Sequence, residues 1–384
     1  MINLIKYNRK IWYNIELYNL SKGGCKMRYL NDKNKEFYEK LPLKFDKFSE
    51  KILLKYAVGA NLYMNGLMNI YQKIKDDIKG KVGTITICFE DSIKETDLFR
   101  AEQNVLEQLF KISRDIKNKQ ILIEDLPLIF IRVRNIKQFE SFMSKLKKDE
   151  VRCLTGFVFP KFNVTNAKDY FDITREFSSK FDLQFYTMPI LESQEIIYKE
   201  TRLDRLLELS KIIKEYESIV LNIRVGGTDF SSKFGLRRSV DSSIYDIRVV
   251  GECLTDIINI FAREGLEYVI SAPVWEYFSD DKNSKEIKGL LDEIRLDIEN
   301  GFLGKTVIHP EQIKYVNANF VVGYEEYIDA KSIITLEEVG GVFKGFSDNK
   351  MNEATPHLNW AKRILERAAI FGVLKEGVEK EVLY

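Results

Sequence analysis

From about residue 50 the chain alternates short apolar runs, rich in β-branched and aromatic residues, with longer charged stretches in which apolar residues recur at every third or fourth position. The runs are LLKYAVGA (53–60), TITICFE (84–90), PLIFIRVRN (127–135), GFVFPKF (156–162), FYTMPILES (185–193), IVLNIRVGG (219–227), YVISAPVWE (268–276) and KTVIHPEQ (305–312). Between them lie segments such as DLFRAEQNVLEQLFKIS (97–113) and RLDRLLELSKIIKEYES (202–218), whose apolar stripes predict amphipathic helices. Eight repeats of strand then helix are the pattern of parallel βα units, so an α/β fold, a (β/α)8 TIM barrel ringed by helices, is predicted over residues 50–325. Residues 1–49 read as an N-terminal extension, and 326–384 as a C-terminal segment of further helices lying outside the eight units.

Composition narrows the function classes more than the fold. With 384 residues and 45% apolar content, the chain can bury one large core. Lys and Arg number 59 against 58 Asp and Glu, a net charge of +1 that exerts no global pull on nucleic acid or an anionic membrane, so neither is an expected partner. An anionic ligand must be held locally. Cys25, Cys88, Cys153 and Cys253 form no C-x-x-C pair, which predicts neither a zinc knuckle nor a disulfide framework and fits the reduced cytoplasm. The opening MINLIKYNRKIWYNIELYNL lacks the sustained apolar run of a signal peptide or membrane span. GFLGKT (301–306) misses the phosphate-loop fingerprint because Glu299 stands where its first glycine belongs, and no G-x-G-x-x-G accompanies VGGT.

In such a barrel the reactive groups come from the C-terminal ends of the strands. Polar residues at those ends are Glu90 and Asp91 after the second run, Arg132 and Arg134 in the third, Lys161 after the fourth, Glu192 after the fifth, Asp229 after the sixth and His309 in the eighth. Any one of these acids alone is equally what a helix N-cap looks like, and His309 before a proline reads as a structural hydrogen-bonding residue. Together they suggest chemistry. Two carboxylates on neighbouring strand ends suit magnesium, which keeps part of its water shell, and Glu192 and Asp229 are the natural pair. The stretch RVGGTD (224–229) would turn sharply at Gly226 and Gly227 and expose N–H groups there and at Thr228 to a substrate carboxylate, onto which Arg132 could fork.

These stretches resemble, in order along the chain, the HpcH/HpaI aldolase and citrate lyase β-subunit family. CFEDSI (88–93) is similar to its D-L-E-D-A-V, IRVRN (131–135) to V-R-V-N, GFVFPKF to G-I-V-L-P-K, PILES (189–193) to its strand ending in Glu, GGTDF (226–230) to G-x-x-D-[FL], and GFLGKTVIHPEQI (301–313) to G-F-x-G-K-x-x-I-H-P-x-Q-I. The tail, with YEEYIDAKSII, GVFKGFSDNKM and NWAKRILERA, is similar to the family's closing helix, short hairpin and terminal helix. Cys88 replaces the family's first acid, Arg134 stands where asparagine is usual, and MNEATP (351–356) replaces M-I-D-x-P. This divergence resembles the branch associated with tellurium-resistance and stress gene clusters.

The resemblance implies Mg2+, with Mn2+ as an alternative, on Glu192 and Asp229. A chelating 2-oxo acid or related carboxylate would sit on the metal, with Arg132 polarising the oxygen that becomes an enolate, and Arg134 is grouped with the substrate contacts. Proton transfer would fall to Glu90, Asp91, Lys161 or a neighbouring subunit's Glu353, the last in a homo-oligomer, a trimer or hexamer. The expected activity is carbon–carbon lyase or aldolase chemistry on a 2-oxo acid, hydroxy acid or CoA thioester. A barrel acting as a metal- and carboxylate-binding subunit without turnover, or as a thioesterase, is the alternative.

Overall fold

A computed structural model describes residues 32–76, 82–336, 342–347 and 351–384. Cys25, the opening segment and most of the N-terminal extension lie outside these residues, as does part of the stretch around the C-terminal hairpin. Eight strands form one parallel sheet: β1 (Ala60–Asn65), β2 (Thr84–Cys88), β3 (Leu128–Arg132), β4 (Leu154–Phe159), β5 (Tyr186–Leu191), β6 (Ile223–Val225), β7 (Ile270–Ser271) and β8 (Lys305–Val307). Each strand pairs with the next, and β8 returns to pair with β1. A parallel bridge between Ala272 and Lys305, with the Ala272 N–H donating to the Gly304 carbonyl at 2.9 Å, joins β7 to β8 and closes the ring. The chain is a TIM barrel.

The first apolar run is not the first strand. Residues Lys51–Ala57 form a helix, and β1 begins only at Ala60. A continuous apolar run has no period that separates a buried helix from a buried strand. Gly59, at φ +46°, supplies the left-handed turn between the two elements. The strand itself, ANLYMN, was masked in the sequence by its inward polar residues; Asn61 accepts a bond from the Thr86 hydroxyl at 3.0 Å inside the barrel. The eighth run also changes state midway, passing from β8 to a helix at Pro310–Phe320.

The predicted amphipathic segments are outer helices, Leu98–Lys117 and Lys199–Glu215, which bury Ala101, Val105, Leu109 and Ile112 on one and Leu206, Leu209 and Ile213 on the other. Below the strands, the Lys51–Ala57 helix packs on helix Leu358–Phe371, and the Lys47 ammonium reaches the Arg152 carbonyl at 2.7 Å and that of Leu154. Helices Tyr324–Leu336 and Leu358–Phe371 share a small core with the antiparallel hairpin Val342–Lys344 and Met351–Glu353 nearby, and Tyr38–Lys40 pairs with Val373–Leu374. Among the described residues, these elements sit at the strand N-termini or on the flank, away from the C-terminal mouth.

On the flank, Lys305 of β8 is fully buried and joins Glu293 at 2.9 Å and Asp297 at 2.7 Å, both on helix Lys285–Glu299. Arg238 also contacts Glu293, and Tyr245 donates to Asp297 at 2.8 Å. Removing one cation from such a network strands buried carboxylates. Lys305→Met is therefore expected to lower the unfolding free energy by about 3–5 kcal/mol, read by urea denaturation; a loss below about 1 kcal/mol would show that the network contributes little.

Candidate active site

Five strand ends deliver charge to one place at the mouth. Arg132, the last residue of β3, points inward, and its Nη2 lies 2.8 Å from Glu90 Oε2, 3.2 Å from Glu192 Oε1 and 3.3 Å from Asp91 Oδ2. Lys161, after β4, places its ammonium against Asp229 Oδ1, 3.7 Å from Glu90, and 3.8 Å from both Asp91 and Glu192. Glu90, Asp91, Arg132, Lys161, Glu192 and Asp229 thus form one cluster. Glu192 is 2% exposed, and Arg132 and Glu90 are each 8% exposed.

The backbone is shaped to hold this cluster. Lys161 adopts φ +49°, a left-handed conformation that a side-chain-bearing residue adopts at a cost, and its N–H there donates to Glu192 Oε1 at 2.8 Å. Gly226 follows β6 directly beside that carboxylate, and any Cβ at this position would collide with it. The Gly226 N–H donates to the Leu191 carbonyl at 3.0 Å. It is therefore a ladder donor, and the expected use of this N–H for a substrate carboxylate is not made; the glycine serves by lacking a side chain. Gly227 and Thr228 open the short helix Gly227–Ser232 that carries Asp229, and the Thr228 hydroxyl is turned to Glu276 at 3.2 Å.

Arg134 is directed elsewhere than its expected substrate contact. Its Nη1 donates to the carbonyls of Phe89 at 3.1 Å and Ile93 at 3.0 Å, and its Nη2 pairs with Glu95 at 2.8 Å. The side chain clamps the loop that bears Glu90 and Asp91, because that loop's backbone offers acceptors and the cluster itself is already served by Arg132. His309 caps helix Pro310–Phe320, accepting from the Glu311 N–H at 3.3 Å, and stacks on Phe278. Glu353 lies in the C-terminal hairpin, its N–H bonded to His357 at 3.0 Å; among the described residues no hydrogen bond or ion pair joins it to the cluster.

Electrostatics separates the acids. Burial, then the hydrogen bond with Asp91, lifts the Glu90 carboxyl to about 7 against the pull of Arg132. Burial tends to raise Asp91 too, but the bond from Glu90 and the charges of Arg132 and Lys161 outweigh it and hold Asp91 below its ordinary value. Glu192 is lifted to about 7 by burial and by Asp229, with Arg132 opposing. Burial disfavours the Lys161 ammonium, yet Glu192 and Asp229 overcome that and raise it to about 12, so it is a fixed cation and a poor proton donor near neutrality.

The donor set fits a hard divalent cation. Four carboxylates face two cationic side chains, so the cluster carries more acids than bases, and two negative charges would be unbalanced once all four acids are ionised. Glu192 and Asp229 oxygens already share one cation, the Lys161 ammonium. Among the described residues no group of three or more His, Cys, Asp or Glu side chains is gathered as a metal cage. Two protein ligands with water completing the shell is the habit of magnesium. Arg132 Nε is buried without an acceptor. A cavity of about 350 Å³ opens beside the cluster between the loops after β4 and β5, lined by Asn163, Ser193, Gln194, Glu195, Tyr198 and Thr201.

Two interior residues escaped the sequence reading, Tyr63 on β1 and Arg224 on β6. Each sits in a short strand where a polar residue looks like the ordinary alternation of a half-buried strand, and the arginine in so short an apolar run was the available signal.

A TIM barrel gathers reactive side chains at its strand C-termini, and it is there that these carboxylates and Arg132 converge. The chain belongs to the family of C–C bond lyases of the TIM-barrel fold, whose model matches residues 52–373. Comparison with curated protein sequences finds no match. Among solved structures, a citrate lyase from Burkholderia xenovorans LB400 is 14% identical, with a TM-score of 0.61 over 83% of this chain and 94% of that one. The protein CitE from Mycobacterium tuberculosis, in complex with magnesium, acetoacetate and coenzyme A, is 15% identical, with a TM-score of 0.51 over 82% and 99%. A malate synthase from Haloferax volcanii, a lead(II) complex, is 11% identical, with a TM-score of 0.50 over 68% and 72%. At such identities the likeness is one of fold. No helix among the described residues is long and apolar enough to cross a membrane.

Proposed function

We infer that the protein is a magnesium-dependent carbon–carbon lyase or aldolase acting beside the carbonyl of a 2-oxo acid, a hydroxy acid or its CoA thioester. The observation that carries this reading is the convergence of Glu192 and Asp229 on one cation beside Arg132, in a cluster with four acids and two bases. Glu192 and Asp229 would hold the ion, Mg2+ or in its place Mn2+, which when bound supplies a Lewis acid for a chelating carbonyl.

Cleaving a bond next to a carbonyl leaves an electron pair that moves onto oxygen, and a positive charge already fixed there lowers the barrier. Arg132 is fixed by three carboxylates and keeps Nε for that oxygen. A proton must also move. Glu90 is the best-placed carrier, since its carboxyl is held near 7 and touches Arg132, whereas Asp91 stays ionised and Lys161 stays protonated. Lys161 then steers anionic substrate and holds Asp229 in place.

The test is a panel of 2-oxo acids, hydroxy acids and their CoA thioesters, screened for cleavage or condensation with magnesium and with EDTA. Carbon–carbon turnover that EDTA removes is expected. Thioester hydrolysis alone, or tight binding across the panel without turnover, would replace the lyase by a thioesterase or a binding subunit.

A further inference from the structure

Lys161 holds a backbone conformation that its side chain disfavours. Four described residues other than glycine have a positive φ: Lys119, Lys161, Asp182 and Glu267. Three of them lie between an outer helix and the strand that follows, at the strand N-terminal end of the barrel, where helices commonly end in such turns. Lys161 alone is at the mouth. Its neighbours Phe159 and Phe162 are both buried against helix Ala167–Phe181, on Tyr170 and Phe171, so the lysine between them is turned the other way, into the cluster.

Two asparagine side chains hold that turn. Asn163 Nδ2 and Asn166 Nδ2 each donate to the Lys161 carbonyl at 3.1 Å, which fills both lone pairs of that oxygen. Their own oxygens stay within the same loop: Asn163 Oδ1 accepts from the Thr165 N–H at 2.9 Å and the Thr165 hydroxyl at 2.7 Å, and Asn166 Oδ1 accepts from the Asn163 N–H at 2.9 Å. Asn166 stands at the N-cap of helix Ala167–Phe181, where an asparagine ordinarily accepts from its own helix, yet it makes no such bond. Its amide is committed to Lys161 instead. On the other side of the turn the Lys161 N–H meets Glu192 Oε1 at 2.8 Å, and Arg132 Nη2 donates to the same oxygen at 3.2 Å. Two donors on one oxygen fix the rotation of the carboxylate, and Oε2, beside Gly226, accepts no hydrogen bond among the described residues.

We propose that Asn163 and Asn166 are positioning residues for the metal site: by holding the Lys161 carbonyl they keep that residue left-handed, which aims its N–H at Glu192 Oε1 and leaves Oε2 to the ion. The proposal rests on the metal reading given above and adds how its acid is oriented. Without the two amides, Lys161 relaxes toward negative φ and its N–H swings away from Glu192. The acid then loses one of the donors that set its rotation. Glycine has no such bias, so with Lys161→Gly the clamp has little left to do.

Asn163→Ala, Asn166→Ala and the two together, each in the full chain, test this by two readouts. Amide hydrogen exchange at Lys161, followed by NMR without metal, should quicken at least about tenfold in the double variant. Calorimetric titration with magnesium chloride should show its affinity lowered at least about tenfold, with smaller losses in the single variants, which carry the comparison if the double variant fails to fold. In a Lys161→Gly background the same substitutions should change magnesium affinity by less than about twofold, because the asparagines act only through residue 161. A general loosening of the loop would instead lower affinity equally in both backgrounds. Unchanged exchange at Lys161, or an equal loss in both backgrounds, overturns the proposal. Wild-type protein that takes up no magnesium, with exchange still quickened in the variants, sinks the metal reading and keeps the clamp on Lys161. Magnesium uptake that none of the substitutions alters sinks the positioning role alone.

Discussion

Glu192→Ala and Asp229→Ala should each reduce magnesium affinity by at least about 100-fold, while circular dichroism and cooperative unfolding stay as in the parent protein. Both carboxylates touch the Lys161 ammonium from different strand ends, so each is one half of a two-ligand set and neither can be replaced by the other. Fold retention is expected because Asp229 is partly exposed and because removing Glu192 leaves Arg132 two further carboxylate partners, Glu90 and Asp91. The titration belongs at about pH 8, since the Glu192 carboxyl is held near 7 and must lose its proton to take a metal. Stoichiometric binding retained by both variants would refute the metal assignment.

Arg132→Met is expected to lower kcat by about 10²–10³, the usual consequence of removing one preorganised donor from a developing oxyanion. Arg132→Lys should recover little of it. The native guanidinium hydrogen-bonds Asp91 and Glu192 through Nη2, pairs there with Glu90, and has Nε besides, whereas a single ammonium cannot hold both positions. Steady-state kinetics on whichever acid the substrate panel yields, run beside a magnesium titration of each variant, reads this effect. Full activity in the lysine variant would mean that charge alone matters and that Nε has no role.

The barrel and most of its mouth were readable from the chain because both depend on local patterns. Apolar runs followed by helical periods announce βα units, and an acid or base just past a run lands at the strand C-terminus, as Glu90, Lys161, Glu192 and Asp229 do. What the pattern hides is direction. Arg132 and Arg134 are two residues apart with the same chemistry, yet one enters the cluster and the other binds the Phe89 and Ile93 carbonyls. The first strand is hidden in the pattern because helix Lys51–Ala57 is the more apolar segment and β1 carries Asn61, Tyr63 and Asn65. Proton carriers could not be ranked because burial, which lifts Glu90 and Glu192, is set by residues distant in sequence.

Because Arg134 ties the turn after β2 to its own strand, two acids from one stave and the guanidinium of the next travel as a single rigid piece. The electric field at the mouth is thus in place before any guest arrives. On the lyase reading, charge that shifts during reaction would meet donors already held in position, with little left to reorganise.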